Sequence, residues 1–551
     1  MALPSSVSER LARLAPDQRA AATAPPGPVL CIAPAGSGKT TTLVARIAWL
    51  VGGPLGADPA TVCAVTFNRR AAEELDARLR AALAPLGVGP GTVRVRTFHA
   101  LGREILASSG ADLSRLVDRA VLLRELFPRA APAERQRLDD AFARLKLDLG
   151  LDAATVAAEA EAAVARGEPP PGPVARAFLA YEAALAERDA LDFDDLVGRA
   201  LALLRRDAGV LATWCGRCAH LLVDEVQDVD RAQLDLAVLL AGPERRIFLV
   251  GDDDQTIYAW RLADVRRVLG LAGSLPGLWR VALTTNYRCP APVVRRAVRL
   301  IERNGERFAK AIRPREGATG SLRLAALATD DVTRARALLA GWPAEPGSAA
   351  VLARTNRELV PFAAIALERG LPFAAESHGL LLEDAEVDRL LDGAACASGA
   401  EAPPLLALGR LEDGARGRAT RRRVLAALLA WAAPYPTLGA LRAAIEEARR
   451  RLPSLHRPDA ALTLATIHGT KGLEFDDVAV AGLDDGRFPN RRTLDEAAEP
   501  ERALEEERRL AYVAWTRARR SLVLLYDPGA PSLFLREAFA PGELAPAAGS
   551  A

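Results

Sequence analysis

An α/β protein with two cores is predicted by three features of the 551-residue chain. Near the start, an apolar run leads through a glycine-rich turn into a segment with helical spacing. A second set of short apolar runs fills the C-terminal half, and a charged, Ala/Leu-rich stretch interrupts the first half. The length alone implies several domains, because single cores stop growing well below this size. No uncharged apolar run of about eighteen residues occurs, and Glu9, Arg10 and Arg13 interrupt the opening stretch. Neither a membrane span nor a signal peptide is therefore expected, and the expected location is the cytoplasm. Net charge is only +2, so any nucleic-acid site must be a local groove and not a wholly basic surface.

The first element is Val29 to Ile32, then Ala33-Pro34-Ala35-Gly36-Ser37-Gly38-Lys39-Thr40, then a helix over Thr41 to Leu50 with Leu43, Val44, Ile47, Ala48 and Leu50 on one face. Strand, glycine-rich turn and helix is the context of a phosphate-binding loop. The glycines let backbone N–H groups turn inward, the helix N-terminus adds partial positive charge, and Lys39 reaches the outer phosphates. Thr40 is the expected Mg²⁺ ligand. Ala33 stands where the first glycine is usual. The loop implies a nucleoside triphosphate, but alone it also suits a kinase, a transporter ATPase or a GTPase. Upstream, Gln18 has the donor and acceptor to read an adenine edge.

Val62 to Thr66 and Val93 to Thr97 read as strands that each finish in a Thr-Phe-polar step, Thr66-Phe67-Asn68 and Thr97-Phe98-His99. Hydroxyls, amide and rings at one sheet edge suit a single nucleic-acid strand, with the core as the competing place for either Phe. Helical patterning then runs from Glu104 to about Asp189, broken at Arg166 to Pro173, and reads as an inserted subdomain. The sheet resumes after Leu191-Asp192-Phe193-Asp194-Asp195-Leu196.

Leu221 to Val223 is a strand ending in Asp224-Glu225. Asp224 is placed to hold Mg²⁺ and Glu225 to orient and deprotonate the attacking water. After the buried strand Ile247 to Val250, Gln255 is set to touch the γ-phosphate, with Tyr258 and Trp260 just beyond it for base stacking. Core packing of those two rings is the competing reading. Tyr287 and Arg288 offer a ring for adenine and a cation for phosphate. The second core is expected from Leu322 to Leu324, Ala350 to Ala353, Leu462 to Thr466, Val478 to Ala481 and Leu522 to Tyr526.

The 72 basic side chains include lysine only at Lys39, Lys146, Lys310 and Lys471. In such an Arg-biased chain, Lys39 and Lys471 mark places where a compact ammonium is needed. Cys215-Gly216-Arg217-Cys218 lacks a second pair for zinc and reads as two buried thiols.

Taken in order, Gln18, Ala33 to Thr40, Thr66 to Arg69, Thr97 to His99, Asp224 to Asp228, Gly251 to Arg261, Asn286 to Arg288, Thr466 to Phe475 and Glu507 to Ala518 resemble the UvrD/Rep/PcrA group of superfamily 1A DNA helicases. The resemblance implies two RecA-like P-loop domains, 1A and 2A, with parallel sheets flanked by helices. ATP lies in the cleft between them, with helical insertions 1B and 2B. It implies 1A from 1–104 and 191–285, 1B from 105–190, 2A from 286–395 and 461–530, and a reduced 2B from 396–460; the Pro/Ala-rich composition of 531–551 predicts a disordered tail. Activity would be ATP-driven, 3′ to 5′ movement on single-stranded DNA, in repair, recombination or replication restart, by a monomer with no membrane partner.

On the matching positions, Lys39, Glu225, Gln255, Arg288 and Arg517 would be catalytic, Arg517 as an arginine finger. Gln18, the loop from Ala33 through Pro34, Ala35, Gly36, Ser37, Gly38, Lys39 and Thr40 to Thr41, Tyr287 and Glu474 would hold ATP. Thr40 and Asp224 would hold Mg²⁺. Phe67, Asn68, Thr97, His99, Phe193, Tyr258, Trp260, Thr466 and His468 would contact DNA. Three departures stand out: Leu262 where glycine is usual, Gly469-Thr470 before Lys471, and only roughly 75 residues between Leu380 to Glu386, a stretch that resembles the end of the first part of 2A, and Leu462, far short of the usual 2B. The short 2B keeps open a translocase that strips proteins from single strands without unwinding. A non-motor DNA-binding scaffold and an RNA substrate are also compatible with these residues.

Overall fold

The computed structural model describes residues 3–166, 172–343, 345, 347–375, 382, 384–411 and 419–544. The chain divides into one unit of Met1–Thr284 with Glu306–Ala311 and another of Thr285–Gly305 with Ile312–Ala551.

The first unit is built on β1 (Val29–Ile32), β2 (Val62–Thr66), β3 (Arg94–Thr97), β4 (His220–Val223), β5 (Ile247–Gly251) and β6 (Trp279–Ala282). They form one sheet in the order β3-β2-β4-β5-β1-β6, every pairing parallel. Every residue of β1, β2, β4 and β5 is buried, which is why these strands read as unbroken apolar runs and not as alternating ones. The helix after the glycine-rich loop spans Lys39–Gly52 and buries the predicted face. The next helix, Arg69–Leu83, starts where the Asn68 side chain accepts a hydrogen bond from the Ala71 N–H.

The inserted helices include Arg119–Leu126, Pro132–Ala143 and Pro173–Glu187, and they have their own core around Leu122, Phe142, Phe178, Tyr181 and Leu185. Their junction with the sheet is ionic. The Lys146 ammonium lies 2.9 Å from Asp192, 3.0 Å from Asp195 and 2.7 Å from Glu182, and Tyr181 donates to Asp192 at 2.9 Å. Of the predicted break at 166–173, residues 167–171 lie outside the described residues.

The second unit opens with a small parallel pair, β7 (Thr285–Asn286) and β8 (Arg313–Pro314). Its main sheet comprises β9 (Ser321–Ala326), β10 (Ala349–Ala353), β11 (Phe373–Ala375), β12 (Leu462–Thr466), β13 (Phe475–Val480) and β14 (Ala518–Tyr526). The order is β11-β12-β10-β13-β14-β9, again all parallel. The expected α/β class with two parallel sheets flanked by helices holds.

At three of the expected boundaries the described residues add detail. Glu306–Ala311, assigned to 286–395, packs with the first unit, because Arg307 and Lys310 neutralise carboxylates there. The stretch 396–460, expected as a reduced insertion of a few helices, packs onto the second unit's own core among the described residues. Its helices Pro404–Gly409, Ala419–Ala432 and Leu438–Leu455 bury Leu408, Leu425, Trp431, Leu441 and Ile445 in the same core as Val351 and Leu464 of the sheet. The tail expected to be disordered from 531 carries a helix, Leu533–Ala538, with Phe534, Leu535 and Phe539 buried. Only 545–551 of it lies outside the described residues, as do 380, 381 and 383 of the stretch read as ending the first part of 2A.

A shared core implies shared stability. Leu441→Ala, at a site with no exposed surface, is expected to cost about 2–5 kcal/mol. Hydrogen exchange should then accelerate in β12 together with Leu438–Leu455; loss of protection in the helix alone would mark an independent module.

Candidate nucleotide site and strand-binding surface

β1 delivers the chain to the glycine-rich loop, where Ala33, Pro34 and Ala35 are buried and the Ala33 N–H donates to Gly251 O at 2.8 Å. Gly38 has φ +84°, and a Cβ there would lie 2.6 Å from Gln18 Nε2. Only glycine fits. Gln18 is buried over the loop, donating from Nε2 to Ser37 O at 2.8 Å while its Oε1 accepts from Ala15 N–H at 3.1 Å. The helix from Lys39 has no side-chain cap on its first turn. Ser37 Oγ is buried without a hydrogen-bond partner among the described residues. Uncapped N–H groups beside an unsatisfied hydroxyl are what a phosphate would satisfy. Thr40 is half-buried and Thr41 exposed.

β4 ends against this loop in Asp224, which is buried, and Glu225, which is held at φ +51°. A non-glycine residue in that region stores backbone strain of about 1–3 kcal/mol. Its Oε2 lies 3.1 Å from Lys39 Nζ. Burial, then the Glu225 charge, pushes the Asp224 carboxyl up to about 7 despite the opposing Lys39. Among the described residues no group of three or more His, Cys, Asp or Glu is arranged to hold a metal. One hydroxyl and one carboxylate, Thr40 and Asp224, suit Mg²⁺, which takes few protein ligands and completes its shell with water and phosphate oxygens.

Sequence reasoning gives no role to Gln227 or to the cluster around Asp252. Gln227 Nε2 donates to Glu225 Oε2 at 2.6 Å, and its Oε1 accepts from the Asp252 N–H at 3.0 Å. The ends of β4 and β5 are thereby joined, and a Cβ on Gly251 would stand 2.3 Å from that oxygen. Gln255 is buried, its Nε2 donating to Asp252 Oδ2 at 2.7 Å. Lys310 and Arg307 complete the cluster from far along the chain. The only signal for it in the sequence is the rarity of lysine.

Just beyond Gln255 the rings come together. Phe67 and Tyr258 stack with centroids 5.2 Å apart, Trp260 meets Tyr258 edge-on at 6.0 Å, and the Arg261 guanidinium lies 5.2 Å from the Phe67 ring centre. Trp260 is 65% exposed, which excludes core packing for it. Nearby, His99 and Phe193 stack at 4.0 Å in a groove of about 620 Å³ that Arg69, Arg96, Arg103 and Thr97 also line. Phe98, by contrast, is core. Asn68 and Thr97 serve as helix caps, with Thr97 Oγ1 accepting from Ala100 N–H.

In the second unit, Arg288 pairs with Glu474 at 2.7 Å and donates to Thr516 O at 3.2 Å. Tyr287 beside it is exposed. Arg517 is buried, donating to Val513 O at 2.9 Å and Leu473 O at 3.1 Å. Thr466 ends β12, and His468 is half-buried in the following turn. Cys218 is buried, whereas Cys215 is half-buried with Sγ 3.6 Å from Leu239 O.

Burial, with Arg261 next in effect, lowers the His99 imidazole to about 4, and burial with Arg354 and Lys471 does the same for His468. Both are neutral at pH 7. An unfolded histidine takes up its proton near 6.5 and the folded one only near 4, so stability is full above 6.5 and falls as pH drops through this window. Each histidine is expected to contribute about 3 kcal/mol of that loss. Denaturant unfolding of His99→Gln between pH 6.5 and 4.5 should show a shallower decline than the unmodified protein.

A family model described as UvrD/REP helicase N-terminal domain matches residues 14–276, and one described as UvrD-like helicase C-terminal domain matches 442–528. The chain is 32% identical to "ATP-dependent DNA helicase UvrD2" of Mycobacterium tuberculosis, over 95% of this chain and 81% of that protein. It is 27% identical to "DNA helicase II" of Escherichia coli over 94% and 85%. With "ATP-dependent DNA helicase Rep" of Salmonella typhimurium it shares 34% identity over 54% of this chain and 44% of the relative. Matches at both ends of the chain, on the segments that carry the phosphate loop, the carboxylates and Arg517, make it a member of the UvrD-like DNA helicase family.

Proposed function

We propose that this protein is an ATP-driven motor that moves 3′ to 5′ along single-stranded DNA and separates duplex ahead of it, in repair, recombination or replication restart. The observation that carries the reading is the spacing within one loop: the buried Gln255 amide, the half-buried Tyr258 ring and the exposed Trp260 ring are separated by only a few residues. A γ-phosphate sensor and a base-stacking surface so joined would pass nucleotide state directly to strand grip.

The phosphate loop and Lys39 bind and orient the triphosphate. Mg²⁺, held by Thr40 and Asp224, would supply charge neutralisation on the phosphate oxygens. Glu225, strained and pointed at Lys39, orients a water and takes its proton. Arg288 and Arg517 are assigned to transition-state charge, Tyr287 and Gln18 to adenine, and Glu474 to the ribose. Arg517 must exchange its carbonyl partners for phosphate to act, which would make hydrolysis depend on a conformational step. Phe67, Tyr258 and Trp260, with His99, Phe193, Asn68, Thr97, Thr466 and His468, would hold the strand by ring faces and backbone, with little sequence preference.

A second reading, translocation that strips bound proteins without productive unwinding, is favoured by the helices of 404–455, which share the second unit's core and leave no separate body in that stretch among the described residues. Unwinding of 3′-tailed against 5′-tailed duplex, measured beside DNA-stimulated ATP hydrolysis, separates the two. Stimulated hydrolysis with 3′-tail unwinding supports the helicase, and stimulation without unwinding supports the second reading. Absence of stimulation overturns both.

Two variants sharpen the test. Glu225→Gln should lower kcat by about 10²–10⁴-fold with KM for ATP little changed. Trp260→Ala should weaken single-stranded DNA binding by about 1–3 kcal/mol, roughly 5- to 150-fold, while DNA-independent hydrolysis stays the same.

A further inference from the structure

Glu306–Ala311 is a short piece of chain that belongs to the first unit although the residues before and after it belong to the second. Its anchor is Lys310, whose side chain has no exposed surface. The ammonium lies 2.9 Å from Asp252 Oδ1 and 3.0 Å from Asp254 Oδ2 and also contacts Asp253. Arg307 forks onto Asp254 at 2.9 and 2.7 Å, and the Phe308 N–H donates to Asp253 Oδ2 at 2.8 Å. Three donors meet three carboxylates, so the ammonium is fully used.

The consequence runs through Asp252. Its Oδ1 is taken by Lys310 and by the Asp254 N–H, and its Oδ2 receives Gln255 Nε2. Burial works against ionising Asp252, but Lys310, then Lys39, outweigh it and hold the carboxyl below its ordinary range; Asp253 in the same cluster goes up to about 6. An ionised carboxylate only accepts, so the Gln255 amide must turn its nitrogen toward Asp252. The reverse orientation would set oxygen against oxygen in a buried site. The Gln227 Oε1 bond to the Asp252 N–H fixes the backbone of the same residue to Glu225 and Lys39.

We propose that Lys310 is a positioning residue for ATP hydrolysis: by occupying Asp252 Oδ1 it fixes Asp252 Oδ2 against the Gln255 amide nitrogen, and so sets which end of that amide faces the nucleotide. The inference rests on the hydrolytic reading above. Lys310 itself touches neither nucleotide nor Gln255. Its role is to prevent the amide from flipping. Removing it leaves Asp252 to take up a proton, become a donor and accept either amide orientation.

The test uses the full chain. Lys310→Met/Asp253→Asn removes the ammonium and one carboxylate together and preserves the cluster's net charge; Asp252→Asn is an independent route to the same loss. kcat and KM for DNA-stimulated ATP hydrolysis are measured from pH 6.5 to 9, beside thermal unfolding. The double variant is expected to fold and to lose about 10- to 100-fold in kcat with KM for ATP within about threefold. Its kcat should recover in part toward pH 9, as Asp252 gives up its proton. Asp252→Asn should show the loss without the recovery, and Asp253→Asn alone should stay within about twofold of the unmodified protein. Either kcat-lowering variant retaining full kcat while folded overturns the proposal. So does a loss that only tracks the unfolded fraction, or one with no pH recovery in the double variant. If the unmodified protein shows no DNA-stimulated hydrolysis, the functional reading fails first and this inference with it.

Discussion

The first unit depends on pairing the carboxylates gathered where two neighbouring parallel strands end. β4 and β5 lie side by side and finish in Asp224-Glu225 and Asp252-Asp253-Asp254. Four of these side chains are buried, and unpaired charges there would cost several kcal/mol each. Lys39 answers one group and Lys310 with Arg307 the other, while Gln227 bridges the two with one amide. The phosphate loop, the strained Glu225 and the captured segment Glu306–Ala311 are therefore parts of one electrostatic arrangement. Removing a cation from such an arrangement leaves an orphaned charge, which is worse than never having built the pair.

Lysine usage follows from the same constraint. Lys146 and Lys310 each sit among three carboxylates, which a compact ammonium with three rotatable donors satisfies. Arginine forks onto a single carboxylate at Arg307 on Asp254 and Arg508 on Glu537, and bridges three at Arg119 and Arg487. Two of the four lysines thus mark sites where three carboxylates converge.

The phosphate loop, the strand-end carboxylates and most strands are legible in the sequence because their signals are local: unbroken apolar runs, glycines, and polar residues at strand ends. Lys310 is not, since its partner Asp252 lies 58 positions away and no local pattern links the two. β11 escapes sequence reading because three residues, two of them alanine, carry no period. The helices of 404–455 are expected, but helical spacing shows that one face is buried and not what buries it. Composition misleads at the tail, where Phe534, Leu535 and Phe539 provide an apolar face inside a Pro/Ala-rich stretch. For Asn68 and Thr97, local capping chemistry and a strand-binding role ask for the same side chains, so sequence alone does not separate them.

The stretch from Gln255 to Leu262 ties a buried site to an exposed surface through a short, anchored chain. Thr256 and Ile257 are buried between the amide and the rings, and Thr256 Oγ1 donates back to Asp253 O at 3.1 Å. At the far end Leu262 takes φ +68°, a strained choice for a branched residue where glycine would be relaxed. Its side chain packs against the first unit's core, and Arg267 donates to its carbonyl. Burial offsets the strain and anchors the turn. With Gln255 fixed by Asp252 at one end and Leu262 seated at the other, little slack remains between them. A shift of the amide would therefore be passed to Tyr258 and Trp260 by the short chain that carries all three.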